Sequence, residues 1–510
     1  MTHWKFFEFF QKTDPIYLTI LVFLIFYRIL VLVLFNFTIT DGDQTVMWQG
    51  VRDFSQGIFH EPRFYGQDYD SMIEALLAVP LYWLGIQPYK ALPAITNLMA
   101  ISPFIIFSWL TLKKGKKIQA YFILALSLFL APEYDLITSM PRGFINGIFF
   151  ASLGAIALFY PGNKRWFLFS GFFYAFGYAI NPNSLLISIP CLFYQFLLYK
   201  KEYNFYIFSG IGLIAGEALN LAANYFYIIN PAFNLHRTHT PHFSFQQLLS
   251  AFSNLDWHFN CLTPFFWKMG WLSLAFFVLI SWIFFYRKQF KEAWVVIATL
   301  AFIIGSLGFD RMFAATPSVF FSYSRMYLAI PILLAIFISF MQFRTNGFKY
   351  YFLILVAGFT LQKSVNLEDT IFKSTIEFDP IINVCRISDL QKECFKRQLL
   401  AERFNISLES DQWNMFYTLA TYGCPFCESG FPKTLYPPYE RRTWRMREEE
   451  KQVHKNILIV SGRDNPDSLI KKSTALKIDM IRIGDYYIIR NNCKPTIQLL
   501  RSLGLKIRDF

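Results

Sequence analysis

Apolar stretches long enough to cross a lipid bilayer recur along most of this chain, from residue 16 almost to residue 361. A bilayer core of about 30 Å needs roughly 20 residues of helix, so about eleven crossings fit into this part of the sequence. Hydrophobic residues make up 54% of the 510 residues. This composition is typical of a polytopic α-helical membrane protein rather than a soluble one.

The lengths and spacing of these stretches give the spans. We predict them at residues 16–37, 92–112, 118–131, 144–160, 166–180, 184–199, 205–228, 263–286, 293–309, 323–342 and 348–363. Residues 71–86 are also apolar, but they are too few and too close to the next span to cross, so we predict an interfacial helix there. Arg28 interrupts the first span and Phe35-Asn36-Phe37 provides no small-residue cleavage site, so we expect this span to remain as an anchor.

The net charge of +13 is distributed in short basic clusters between the spans, which argues against nucleic acid as a partner. Short cytoplasmic loops carry an excess of Lys and Arg. Basic clusters occur at residues 5–12, 113–117, 164–165, 200–201, 287–291 and 344–349, whereas the loops 38–90, 131–142, 229–262 and 310–322 carry acids or His. We therefore predict a cytoplasmic amino terminus and, after an odd number of spans, an exoplasmic carboxyl-terminal segment.

After residue 363 the apolar pattern gives way to a mixed polar one. Residues 457–460 and 486–489 are typical of strands, and a helix-like segment at 467–474 lies between them. The segment is long enough for one soluble domain. We predict a transmembrane domain over residues 1–363 and a soluble exoplasmic α/β domain over residues 364–510.

Five of the seven cysteines lie in this last segment, at positions 385, 394, 424, 427 and 493. An exoplasmic location permits disulfides. Cys424 and Cys427 form a Cys-x-x-Cys motif, but a second pair with zinc-ribbon spacing is missing, so we predict a structural disulfide. The sequence leaves the pairing of the five cysteines open.

Acidic residues are concentrated in the first outer loop, residues 38–90. A carboxylate beside a bilayer is costly unless it is solvated, paired or functional. Asp43 closely follows a span and Glu74 lies on the apolar interfacial helix, so we interpret both as functional acids. Asp53, Glu61 and Asp68 are interpreted as solvated surface acids, because such acids are common.

Several segments resemble bacterial GT-C-fold membrane glycosyltransferases, which are relatives of the protein mannosyltransferases and of the aminoarabinose transferase. In the first outer loop these are Asp41-Gly-Asp-Gln-Thr-Val46, Phe64-Tyr-Gly-Gln-Asp-Tyr69 and Glu74-Ala75. Further along they are Met140-Pro-Arg-Gly-Phe144, Ser324-Arg-Met-Tyr-Leu-Ala-Ile-Pro331, Asp411-Gln-Trp-Asn-Met-Phe-Tyr-Thr-Leu419 and Leu435-Tyr-Pro-Pro-Tyr439. The resemblance covers nearly the whole chain and implies a protein of the bacterial inner membrane.

The resemblance places Asp43 on the aspartate that serves this family as catalytic base. Gln44 occupies the position where a second acid is usual, so Asp41 is a candidate to supply the missing charge, with Glu74 as a supporting acid. A carboxylate within hydrogen-bond reach of an acceptor hydroxyl can take its proton. One base with direct displacement inverts the anomeric centre, whereas retention typically needs a second, nucleophilic carboxylate.

The expected reaction is an inverting transfer of a sugar from a polyprenyl-phosphate carrier to a hydroxyl on a protein, lipid or glycan at the outer face. Guanidinium groups stabilise the phosphate that is left behind, and Arg325 and Arg142 are the candidates. A transporter or flippase of lipid-linked sugars is the alternative, but it would need polar or broken-helix features near mid-membrane rather than acids in outer loops.

Candidate substrate-loop residues are Tyr65, Gln67, Tyr69 and His239. His239 belongs to a run with His236 and His242, and such a run invites a metal-site interpretation. Pro241 interrupts any helix that would align these imidazoles, and no neighbouring Cys or acid completes a ligand set. A loop that covers donor or acceptor is therefore favoured over a metal site, with an ordinary polar loop as the alternative. We predict no cofactor, with a divalent metal left open.

Overall fold

Apolar helices dominate the structure, a computed structural model that describes residues 14–65, 70–231, 233, 242–309, 318–342, 349–376, 384–411, 433–435, 451–460, 466–491 and 494–505. The helices are α1 (Pro15–Val31), α2 (Gly42–Ser55), α3 (Ile73–Trp83), α4 (Pro88–Lys113), α5 (Lys117–Phe129), α6 (Pro132–Ser139), α7 (Asn146–Ala155), α8 (Lys164–Ile180), α9 (Leu185–Tyr199), α10 (Tyr203–Ile229), α11 (Phe245–Ser253), α12 (Leu255–Phe259), α13 (Trp271–Tyr286), α14 (Phe290–Ser306), α15 (Ile330–Phe340), α16 (Lys349–Val365), α17 (Leu367–Ile371), α18 (Ile387–Phe404), α19 (Pro466–Ala475) and α20 (Thr496–Ser502). The strands are β1 (Ile39–Thr40), β2 (Cys385–Arg386), β3 (Leu408–Asp411), β4 (Lys433–Leu435), β5 (Asn456–Val460), β6 (Asp479–Ile483) and β7 (Tyr486–Arg490).

Each of the predicted spans contains a helix, and a further helix, α3, forms in the predicted interfacial segment. Within the described part of the chain, four helices are long and apolar enough to cross a bilayer: Pro15–Asn36, Pro88–Lys113, Pro182–Tyr199 and Tyr203–Ile229. The other apolar helices have 10–17 residues. The structure is that of a polytopic helical membrane protein, and the number of crossings stays a prediction.

The chain forms two compact units that do not follow sequence order. The helical unit comprises Met1–Asn36, Pro93–Ala222 and His239–Phe378, and the mixed unit comprises Phe37–Leu92, Ala223–Thr238 and Asp379–Phe510. The first outer loop therefore folds together with the carboxyl-terminal segment. The boundary predicted at residue 363 concerns membrane embedding, which compactness does not test, and it stays a prediction.

The mixed unit contains a five-stranded sheet with the strand order β4-β3-β5-β7-β6. Strand β3 pairs in parallel with β4 and β5, whereas β7 pairs antiparallel with β5 and β6. Side chains alternate along β5, so that Ile457 and Ile459 pack with residues of α19 and α20, while Leu458 packs with Ala401 of α18. Helices therefore cover both faces of this sheet.

A second, two-stranded sheet joins the start of the first outer loop to the carboxyl-terminal segment. Strands β1 and β2 are antiparallel, with Ile39 opposite Arg386 and Thr40 opposite Cys385. The backbone N–H of Ile387 donates to the carbonyl of Thr38 at 2.9 Å. This pairing ends one residue before Asp41 and fixes the backbone that leads into α2.

Small residues let helices of the helical unit approach closely. A Cβ atom added at Gly171 of α8 would collide with the backbone carbonyl of Ser209 on α10, and one added at Gly212 of α10 would collide with that of Leu168 on α8. Helix association in lipid relies on such close packing, because lipid chains are as apolar as the side chains they replace.

Three buried ionisable side chains meet inside the helical unit. The Nη1 atom of Arg28 on α1 donates to Oδ1 of Asp135 on α6 at 2.6 Å. The Nζ atom of Lys363 on α16 donates to the other carboxylate oxygen, Oδ2. Arg28 also donates to Asn97 of α4 and, at 3.2 Å, to Thr138. The three charged side chains are at most 2% exposed, so two basic groups share one carboxylate away from water.

We expect unequal effects when members of this ion cluster are neutralised. Removing one partner of a buried ion pair typically costs about 3–5 kcal/mol because a charge is left unpaired. Asp135→Asn leaves two cations facing each other and should lower the free energy of unfolding by about that amount. Lys363→Met leaves the Arg28–Asp135 pair intact and should destabilise much less. Thermal unfolding of both purified variants in detergent measures the difference, and equal destabilisation would contradict it.

Candidate functional site

Asp41 starts the helix that carries the predicted base. Its backbone is extended, with φ −137° and ψ 179°, and its Oδ1 accepts a hydrogen bond from the backbone N–H of Gln44 at 2.9 Å. This is the N-cap arrangement, in which a side-chain oxygen satisfies an N–H that has no partner inside the helix. Asp followed three residues later by Gln also matches the capping-box pattern. The local structure therefore gives the Asp41 side chain a role in starting α2.

Asp43 lies in the first turn of α2 and is half-buried. Asp41 is 2% exposed and Glu74, in the first turn of α3, is completely buried. Of the three acids singled out from the sequence, Asp43 is thus the one that solvent reaches. A group that must take a proton from an incoming hydroxyl needs such access.

Helices α2 and α3 pack directly against each other in the mixed unit. A Cβ atom added at Gly50 of α2 would lie 3.0 Å from the Cβ of Ala75 on α3 and would collide with the side chain of Met72. The Cβ-free position lets the two backbones approach. Because Glu74 adjoins Ala75, this contact also fixes the helix turn that carries Glu74.

Tyr65 is buried, and its hydroxyl donates to Asp53 Oδ2 at 2.7 Å. Gln49 donates to the other carboxylate oxygen at 2.5 Å, and His60 Nε2 lies 3.5 Å from Oδ2. The interpretation of Asp53 as a solvated acid is therefore wrong, since its side chain is 6% exposed. Asp53 instead holds Tyr65, a predicted substrate-loop residue, against α2.

Glu61 was also expected at the surface and is also buried. Its Oε2 accepts from the hydroxyl of Tyr227 on α10 at 2.9 Å. The backbone N–H of Arg63 donates to the same hydroxyl at 3.3 Å, and Arg63 Nη2 donates to Asn224 at 3.0 Å. These contacts join residues 61–65 to a part of the chain more than 150 positions away, which no local pattern reveals.

Arg325 and Arg142 meet on one short turn, Val319–Phe321, in the helical unit. Arg325 Nη1 donates to the carbonyls of Phe321 at 2.8 Å and Ser322 at 2.9 Å, and its guanidinium lies 4.0 Å from the centre of the Phe321 ring. Arg142 donates to the carbonyl of Phe320, and its guanidinium lies 6.0 Å from the same ring. Both arginines are less than 9% exposed, so the Arg325 side chain does not extend from the end of its predicted span toward headgroups.

Other candidate positions fall outside the described residues or show no ligand set. Gln67, Tyr69 and His239 lie outside the described residues, as do Asp68 and His236, and His242 is exposed. In the part of the chain that the structure describes, no group of three or more His, Cys, Asp or Glu side chains is arranged to hold a metal ion.

The cysteines of the carboxyl-terminal segment differ in state. Cys394 on α18 is disulfide-bonded, and Cys424, Cys427 and Cys493 lie outside the described residues. Cys385 is a buried free thiol, so it is not a disulfide partner. Burial, together with the nearby Asp41 carboxylate, raises the pKa of Cys385 well above its usual range.

His258 is a buried residue that the sequence did not single out as a site. It lies on α12, and its ring packs edge-on against that of Tyr323, with the ring centres 5.2 Å apart. Its backbone carbonyl accepts a hydrogen bond from the hydroxyl of Ser324 at 2.7 Å. Burial lowers the pKa of His258 from 6.5 to about 4. The imidazole is therefore neutral near pH 7 and packs beside the turn that precedes Arg325.

The candidate residues are divided between the two units. Asp41, Asp43, Tyr65 and Glu74 belong to the mixed unit, and Arg142 and Arg325 belong to the helical unit. In the mixed unit, α2 and α3, which carry Asp43 and Glu74, pack against each other. In the helical unit, both arginines donate to carbonyls of the Val319–Phe321 turn.

No protein-family model and no curated protein sequence matches this chain. Its structure is similar to two crystal structures of ArnT from Cupriavidus metallidurans, an aminoarabinose transferase with the GT-C fold. The apo form has a TM-score of 0.53 and 12% identity, covering 92% of this chain and 97% of that chain. The form bound to undecaprenyl phosphate has a TM-score of 0.55 and 11% identity, covering 93% and 98%. The likeness establishes the fold, and the GT-C resemblance is confirmed at that level.

Protonation of His258 should make the fold sensitive to mild acid. The pKa of this imidazole rises from about 4 in the folded chain to 6.5 on exposure. As the pH falls below 6.5, the unfolded chain takes up a proton that the folded chain does not. The free energy of unfolding therefore falls until the pH reaches about 4. Between pH 7 and pH 5 the loss should be about 2 kcal/mol.

Melting temperatures measured at both pH values in detergent check this expectation. His258→Gln should remove most of the difference, and His242→Gln, at an exposed histidine, should leave it intact. An unchanged pH dependence in the His258 variant would disprove the assignment.

Proposed function

We propose that this chain is an inverting membrane glycosyltransferase that moves a sugar from a polyprenyl-phosphate carrier to a hydroxyl acceptor. The observation that carries the proposal is the position of Asp43. It is the solvent-accessible one of the three singled-out acids, and it stands at the start of the first helix after the first span of a GT-C fold. The polyprenyl-phosphate donor is suggested by the ArnT structure that holds undecaprenyl phosphate.

Asp43 acts as the general base in this proposal. Its carboxylate accepts the proton of the acceptor hydroxyl while that oxygen attacks the anomeric carbon, and the bond to the carrier phosphate breaks. Asp41 supports it by capping α2, which sets the direction in which the first turn presents Asp43. Glu74 supports it from α3, whose packing against α2 at Gly50 holds the two helices together. Tyr65, which Asp53 holds in the protein interior, supports the substrate loop from within, and Gln67, Tyr69 and His239 hold substrate.

Arg142 and Arg325 bind the donor phosphate in this proposal. Their guanidinium groups approach one aromatic ring, Phe321, so two positive charges are concentrated at one turn. Negative charge develops on the carrier phosphate as the sugar leaves, and positioned guanidinium groups stabilise it. Such interactions are strongest where water is excluded, which the burial of both arginines supports.

The proposal includes a topology with about eleven crossings. The amino terminus lies in the cytoplasm, and the domain at residues 364–510 lies in the periplasm or outside the cell. Transfer then takes place at the outer face of a bacterial inner membrane. The acceptor is a protein, a lipid or a glycan.

Asp43→Asn tests the base. A general base contributes about 10²–10⁴-fold to a rate, so release of polyprenyl phosphate from a polyprenyl-phosphate sugar should slow by that range. Membranes that supply the natural acceptor are included in the assay. The melting temperature should change little, because Asp43 is half-buried at a helix start. Full activity in this variant would refute the assignment.

Asp41→Asn is the matched control, since it neutralises an acid two positions away. Asn caps a helix about as well as Asp, so this variant should retain far more activity than Asp43→Asn if Asp41 acts as a cap. Equal losses in the two variants would show that the charge of Asp41 is itself required.

Arg325→Ala tests the phosphate site. Hydrogen bonds to charged groups contribute about 1.5–3 kcal/mol, so we expect the affinity for polyprenyl phosphate to fall at least about tenfold. Binding is measured by calorimetry in detergent at constant ionic strength, because salt screens charge interactions. Arg165→Ala, at an exposed arginine in a basic cluster, is the control and should bind normally. Unchanged affinity in the Arg325 variant would exclude this role.

A further inference from the structure

Helix α11 presents an apolar stripe to its surroundings. Phe245 is 74% exposed, Leu249 69% and Phe252 40%. Residues spaced by four and three positions lie on the same side of a helix, so these side chains form one continuous row. An exposed row of large apolar side chains on a soluble surface is unusual.

The remaining faces of α11 are distinct from this stripe. Ala251 is buried and Leu248 is partly buried, so they mark the face that packs on the protein. Gln246, Ser250 and Ser253 are exposed on the side next to the stripe. No charged residue occurs from position 243 to position 255. The helix thus has a protein face, an apolar face and an uncharged polar face.

The start of α11 is fixed at the end of a predicted span. The backbone N–H of Ser244 donates to the carbonyl of Gly308 at 2.8 Å, and Phe243 forms a bridge with Phe309. These residues follow α14, which ends at Ser306. The end of a span marks the boundary between hydrocarbon and headgroups, so α11 begins at that level.

Exposed tryptophans follow α11 in the chain, up to the start of the next apolar helix. Trp257 on α12 is 54% exposed, Trp267 is 54% exposed, and Trp271 at the start of α13 is 53% exposed. Trp is enriched where a membrane protein crosses from hydrocarbon to headgroups, because its ring is amphipathic. The segment from α11 to the start of α13 therefore exposes the residue type that is typical of the membrane interface.

We infer that α11 lies in the membrane interface and that its apolar stripe is covered by lipid. With 9 residues it is too short to cross the bilayer, whereas an amphipathic helix in the interface buries its apolar face about 5–10 Å into the headgroup and acyl boundary. The absence of charge favours lipid chains over a charged protein partner. The helix anchors the segment that leads into α12 and α13 at the membrane surface, and this inference does not depend on the proposed reaction.

Site-specific photo-crosslinking tests this assignment. The full chain is purified with p-benzoylphenylalanine in place of Leu249 or of Ser250 and reconstituted into vesicles of phosphatidylcholine and phosphatidylglycerol. Both side chains are exposed, but they lie about 100° apart around the helix. Mass analysis should find lipid adducts at position 249 several-fold more often than at position 250.

Every other outcome overturns the inference. A cross-link at position 249 to a second copy of the chain would show a protein interface. Equal lipid adducts at both positions would show that the stripe has no preferred environment, and no adduct at either position would place the helix in water. If the Leu249 variant elutes as an aggregate, the same comparison is made with Phe245 in place of Leu249.

Discussion

The helical unit depends on a buried carboxylate, Asp135, that two basic side chains share. An apolar bundle can contain Arg28 and Lys363 only if each is paired, since an isolated buried charge costs several kcal/mol. The pairs link α1, α6 and α16, and Asn97 adds α4. Helices that would otherwise slide along one another are thereby held in one register.

This constraint extends to the turn after α6. Asn36 donates to the carbonyl of Ser139, the last residue of α6, at 3.2 Å. Arg142 follows three positions later and reaches the carbonyl of Phe320. The turn that carries the proposed phosphate-binding arginine therefore directly follows a helix that is held in place by buried polar contacts.

The sequence predicted the parts of the structure that depend on local patterns. The length of the apolar stretches predicted where the membrane helices lie, and short runs rich in β-branched residues predicted β5 and β7. Asp53 and Glu61 were misread because their partners come from tertiary packing: Tyr65 lies 12 positions from Asp53, and Tyr227 lies 166 positions from Glu61. Strand β6 was missed because charged Asp479 and Arg482 interrupt its apolar residues. The cap that Asp41 forms at the start of α2 is, in contrast, a local pattern that the sequence contains.

The same difference between local and long-range contacts explains why this chain is similar to ArnT in structure but matches no family in sequence. Membrane helices need apolar residues and small residues at contacts, requirements that many sequences meet. A chain can therefore have the fold of ArnT although only 12% of the aligned residues are identical. Fold does not fix function, so the assignment rests on the few positions where chemistry is specific. At the start of α2, Asp41 caps the helix and is buried, whereas Asp43, two positions later, is only half-buried. The start of the helix backbone decides which of the two carboxylates is the cap. If the helix began one position later, a residue other than Asp43 would occupy the same place in the first turn.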